Sequence, residues 1–187
     1  MRAPCSDGVI NVLSPRDGSF FGTTATWTDL RYDFIDTEGN PMDLALPTYL
    51  TFFDLDTGKD AQTRECWQFK GDHTIHLYAN GTEVEVIRPA TLAAEYGTPL
   101  DEDWYNDVYC GTVYGTGQDN PADPVTQSAD ELRRSLMLEL TGTGTFEVRH
   151  MIVGCCGTGR NFLIAGFSNL VRPMCLDPPS RPPPSPP

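Results

Sequence analysis

Short runs that alternate apolar and polar residues recur along this chain, and each is closed by a turn signal. The clearest is Thr145 to Val153, where Phe146, Val148, His150 and Ile152 alternate with Glu147, Arg149 and Met151. A period of two puts one set of side chains on each face of a strand. Thr74 to Tyr78 and Val84 to Ile87 read the same way, with Ala79-Asn80-Gly81-Thr82 between them. Both Asn and Gly tolerate positive φ, so this stretch predicts a two-stranded hairpin. Thr48 to Phe69 predicts another: strand, acidic turn, strand. Its first arm is rich in Phe, Tyr, Thr and Leu, which suit a pleated, half-buried surface.

Further strands are expected at Gly8 to Leu13, Phe20 to Thr28, Tyr32 to Asp36, Val108 to Tyr114, through Leu136, Leu138 and Leu140, and at Asn161 to Ser168. Thr37-Glu38-Gly39-Asn40-Pro41 has turn chemistry. Helix is confined to one turn over Thr91 to Tyr96 and a capping box at Ser128-Ala129-Asp130-Glu131. About ten strands, punctuated every 8 to 12 residues, predict an all-β fold. The expected architecture is an antiparallel β-sandwich, Ig-like or jelly-roll-like. Residues 1–172 form that domain and residues 173–187 a proline-rich tail, where eight of the 16 prolines lie. Such a run adopts polyproline II, extended and hydrated.

Six cysteines, Cys5, Cys66, Cys110, Cys155, Cys156 and Cys175, are spread along the chain with no Cys-x-x-Cys pair. An even count in this pattern predicts disulfides and an oxidising, extracellular compartment. Fifteen pairings are possible, and spacing alone selects none; Cys5 with Cys175 would tie the ends, and Cys66 would tie its hairpin to another strand. Met1 to Cys5 has no apolar run and is no signal peptide, so the numbering is expected to begin inside a longer or processed chain. No stretch approaches the ~20 apolar residues of a membrane span.

Twenty-six acidic against thirteen basic residues give a net charge of −13, which repels phosphate backbones and argues against nucleic acid. Asp54, Asp56, Asp60 and Glu65 fall at positions 1, 3, 7 and 12 of a twelve-residue window, with Gly58 at 5. Carboxylates so spaced can converge on Ca²⁺. The window departs from the EF-hand pattern, because Lys59 stands where the sharp-turn Gly belongs and the flanks are strands. The competing reading is an acidic turn whose carboxylates cap turn amides. No other cofactor is implied. Trp104, in the acidic loop Asp103-Trp104-Tyr105-Asn106, is the candidate for an exposed, sugar-stacking ring. Asn80-Gly81-Thr82 is the one N-glycosylation sequon. The nucleophile elbow, the phosphate loop and the dinucleotide fingerprint are all missing from the sequence, and a chain without catalytic activity is expected.

Residues 178–187, Pro178-Pro179-Ser180-Arg181-Pro182-Pro183-Pro184-Ser185-Pro186-Pro187, resemble the Ser-Pro and poly-Pro stretches of hydroxyproline-rich glycoproteins of plant and green-algal walls, flagellar hairs and matrices. The resemblance covers only that tail. It implies hydroxylated prolines and short arabinose and galactose chains, with Ser180, Pro182, Pro183, Pro184, Ser185, Pro186 and Pro187 as glycan sites. Together with the cysteines and the strand pattern, it leads to an expected function. That function is a secreted structural glycoprotein module, a homo-oligomer or fibre of identical subunits. The alternative is a Ca²⁺-dependent carbohydrate-binding or adhesion module.

Overall fold

In the computed structural model of the chain the described residues are 7–12, 25–59, 63–96, 103–116, 118, 120–121, 126–154 and 160–166; for 7–12, 160 and 161 the backbone alone is considered. They form two five-stranded antiparallel sheets and two short helices. The first sheet runs in the order β1 (Asp7–Val12), β10 (Arg160–Ala165), β3 (Thr48–Phe53), β8 (Leu136–Leu140), β5 (Thr74–Leu77). The second runs β2 (Ala25–Asp33), β9 (Thr145–Gly154), β4 (Thr63–Lys70), β7 (Val108–Gly111), β6 (Val84–Ile87). Strands pair from the chain's ends inward: β1 with β10, β2 with β9, β3 with β8 and β4 with β7.

The core lies between the sheets. Phe52, Leu136, Leu138, Leu140 and Phe162 of the first sheet meet Trp67, Phe69, Phe146, Val148 and Ile152 of the second. Aromatic rings bridge the gap, with Phe52 4.3 Å from Trp67 and Phe162 5.2 Å from Trp67, both edge to face. Those contacts fix the stacking of the sheets beyond what buried area supplies. Alternate residues on the second sheet point away from this core. Cys66, Val108, Cys110, Met151 and Val153 make a second apolar cluster with Ile87 and with Leu92 of α1 (Pro89–Tyr96). The second sheet is therefore covered on both faces at that end. Pro89 opens α1, where a missing amide hydrogen costs nothing.

Local features follow the sequence closely. Ser128 caps α2 (Ala129–Arg133): its hydroxyl accepts from the Glu131 amide at 3.3 Å, and the Ser128 amide donates to the Glu131 carboxylate at 2.5 Å. Asp36 Oδ1 accepts from the amides of Glu38 and Asn40 at 2.8 and 2.9 Å, closing the turn. These amide donors lower the Asp36 pKa, that of Asn40 foremost. Of the two strands expected at Phe20–Thr28 and Tyr32–Asp36, residues 20–24 lie outside the described residues, and Ala25 to Asp33 is one continuous strand, β2.

Both expected hairpins are corrected. β3 and β4 belong to different sheets, as do β5 and β6. Every consecutive pair except β6 and β7 changes sheet. Alternation reports that a strand has one buried face; it does not say which strand lies beside it. Phe52 and Trp67 satisfy their alternation by meeting edge to face across the core. Turn chemistry at Asn80-Gly81 reverses the chain all the same, with Gly81 at φ +87°.

Candidate functional site

The acidic stretch after β3 is an internal strut. Asp54, Leu55, Asp56 and Thr57 are 6%, 0%, 1% and 2% exposed, which excludes an open loop tip. The Leu55 amide donates to the Arg134 carbonyl at 2.9 Å, the Thr57 amide to Val113 at 2.8 Å, and the Glu65 amide to Asp56 at 3.0 Å. Asp54 takes φ +59°, a left-handed conformation that Asp tolerates better than most residues. Two glycines make room for the strut. A Cβ on Gly111 would lie 2.5 Å from the Leu55 carbonyl, and one on Gly115 would overlap the Asp56 carboxylate.

Asp54, Asp56 and Glu65 are thus brought to one end of the sandwich, all buried and all engaged by interaction partners. Among the described residues no group of three or more His, Cys, Asp or Glu side chains is arranged to hold a metal ion. Asp60, the remaining member of the Ca²⁺ window, lies outside the described residues. So do Cys5, Cys155, Cys156 and Cys175, and the tail sites Ser180, Pro182, Pro183, Pro184, Ser185, Pro186 and Pro187.

Cys66 bonds Cys110 and links β4 to β7, which are adjacent in the second sheet. Cys66 therefore ties β4 to another strand, as its place in the sequence suggested. Both sulfurs are in fully buried residues.

The outer face of the second sheet carries the most developed polar arrangement. Asp29, Arg149 and Gln68 stand side by side on β2, β9 and β4. Arg149 Nε and Nη2 donate to the two Asp29 oxygens at 2.6 and 2.9 Å. Such a fork is stronger than a single neutral hydrogen bond. The guanidinium also lies 4.4 Å from the Trp104 ring and 5.6 Å from Trp27. Gln68 Nε2 donates to the carbonyls of Trp104 and Asn106, each at 2.8 Å. These bonds draw the 103–106 segment down onto the sheet. The expectation of an exposed Trp104 is therefore corrected: it is 5% exposed and lies under Arg149. Trp27, 38% exposed, is the accessible indole. Alternation on β2 was the signal for it, since Trp27, Asp29 and Arg31 share one face while Leu30 and Tyr32 take the other. The cleft between Trp27, Trp104, Arg149 and Leu92 has a volume of about 20 Å³. That is room for about one water, not for a sugar ring.

Asn80 is exposed, in the turn that carries the chain from β5 to β6. No helix among the described residues is long and apolar enough to cross a membrane. Compared with known proteins, the chain matches no family model, no curated protein and no solved structure.

Proposed function

We propose that this chain is a secreted, non-catalytic structural module, a jelly roll that joins copies of itself edge to edge into an extracellular fibre or matrix. End-inward pairing, as of one long hairpin rolled up, supports the jelly-roll reading over the Ig-like one. The disulfide supports an oxidising compartment. The tail's resemblance to matrix glycoproteins supports the same setting.

One observation carries the assembly reading. On one side of the molecule the two sheets end in β1 and β2, six and nine residues long, each paired along a single edge among the described residues. An unpaired strand edge is a row of amides and carbonyls ready to accept another strand. β1, the first strand of its sheet's order, can also be given to a neighbour's sheet by exchange. Static light scattering of the full chain over a concentration series tests the reading. Mass that rises with concentration supports it. A monomer at every concentration, in folded protein with the tail intact, overturns it.

A further inference from the structure

The two sides of the molecule differ. β1 and β2 close the sheets on one side with long strands; β5 and β6, on the other, are four residues each. Short edge strands are one natural defence against unwanted strand addition. The six residues that join β5 to β6 lie on this same side and contain Asn80-Gly81-Thr82. Asn80 is exposed, and a side chain built on neighbouring Gly81 would meet nothing within 4 Å, so the turn tip is open.

We propose that Asn80 carries an N-linked oligosaccharide, and that this glycan shields the β5/β6 side, so that edge-to-edge joining through the β1/β2 side pairs two copies and growth into a fibre proceeds by exchange of β1 from one copy to the next. The site assignment stands on the sequon and its exposure; the shielding role rests on the assembly reading above. In the transfer, Asn80 Nδ2 bonds to the anomeric carbon of an oligosaccharide carried on a polyprenyl diphosphate. The bond from that carbon to the diphosphate oxygen breaks. The diphosphate leaves with the electron pair, and the amide nitrogen loses one proton. Thr82 supplies the hydroxyl that the sequon needs. In the folded chain this hydroxyl donates to the Arg133 carbonyl at 3.3 Å and accepts from the Val84 amide at 3.1 Å. A bulky, hydrated group at the tip occupies the approach to β5 and β6 together, because the turn belongs to both.

The test uses the full chain secreted from a eukaryotic host. Intact mass is measured before and after an amidase that removes N-glycans, for the wild type, Asn80→Gln, Thr82→Ala and Thr82→Ser. The proposal expects glycan on the wild type and Thr82→Ser, and none on Asn80→Gln or Thr82→Ala. Light scattering then compares native wild type with wild type deglycosylated after folding, in which the amidase leaves aspartate at position 80, and with Asn80→Gln, which lacks the glycan without that added charge. Removal should raise the average mass roughly twofold or more, as a second joining side requires. A bare Asn80 overturns the site. An occupied Asn80 whose removal leaves self-association unchanged overturns the shielding role. Monomers in both forms, with Asn80 occupied, overturn the assembly reading and its shielding corollary while the site assignment stands.

Discussion

Trp67 and His150 face each other across the β4–β9 pair with ring centroids 3.5 Å apart, and both are fully buried. Phe162 of the opposite sheet closes on the imidazole edge to face at 4.9 Å. Neither imidazole nitrogen has a hydrogen-bond partner among the described residues, nor does the Trp67 indole nitrogen. Burial pushes the His150 pKa down to about 3, so the ring is neutral in the folded protein. An unfolded histidine titrates near 6.5. Below that pH the unfolded chain takes up a proton that the folded chain refuses. Stability is therefore unaffected by this group above pH 6.5 and falls as pH drops from there toward 3. Between pH 7 and pH 4.5 the loss is about 2–3 kcal/mol. Urea unfolding of wild type against His150→Leu checks it: the variant should lose that much less over the same interval.

The Cys66–Cys110 bond closes a loop with a sequence separation of 44. A chain-entropy treatment gives about 4 kcal/mol for such a loop, and measured values are commonly 2–4 kcal/mol. Cys66→Ala/Cys110→Ala is expected to lower the unfolding free energy by that amount. Because both cysteines are fully buried, reductant should cleave the bond in the native protein only as fast as the protein opens. Thiol labelling at increasing urea measures this.

Removing the Asp29 carboxylate leaves the Arg149 guanidinium largely enclosed without its fork. Asp29→Asn is expected to cost roughly 1–3 kcal/mol, the range for a hydrogen bond to a charged group. Arg149→Lys should fare no better, because an ammonium neither forks nor stacks on Trp104 as a guanidinium does. Thermal unfolding of the two variants, with Trp fluorescence reporting on Trp104, checks both.

Gly111 and Gly115 hold the strut in place by what they lack. Gly111→Ala drives a methyl group into the Leu55 backbone, which cannot swing aside as a side chain would. A loss of about 1–3 kcal/mol or more is expected, as for overpacking generally. Gly81→Ala, at an open turn, serves as the control: positive φ costs about 1 kcal/mol there, without a clash.

How much of this was legible depended on the range of the interaction. The capping box at Ser128 and Glu131 involves residues three apart, and it appears as read. Strand positions were legible because Phe146, Val148, His150 and Ile152 write their buried face into the sequence. Sheet membership was not. Asn80-Gly81 specifies a reversal, and nothing local distinguishes a turn within a sheet from one between sheets. Trp104 was misread for the same reason. Its acidic neighbours suggested solvent, while Gln68, 36 residues away, decides its position. The Asp54–Asp56 strut looked like a loop because its acids are turn residues; the space left by Gly111 and Gly115 buries it. Cys66 and Cys110 were one of fifteen formal pairings, and only register on adjacent strands selects them.

Edge-to-edge joining through β1 and β2 is the central claim, and amide hydrogen exchange across a concentration series of the glycosylated full chain tests it most directly. Peptides covering Asp7–Val12 and Ala25–Asp33 should gain protection as concentration rises, while those covering Thr74–Leu77 and Val84–Ile87 stay unchanged. Exchange in β1 and β2 that is independent of concentration would contradict it.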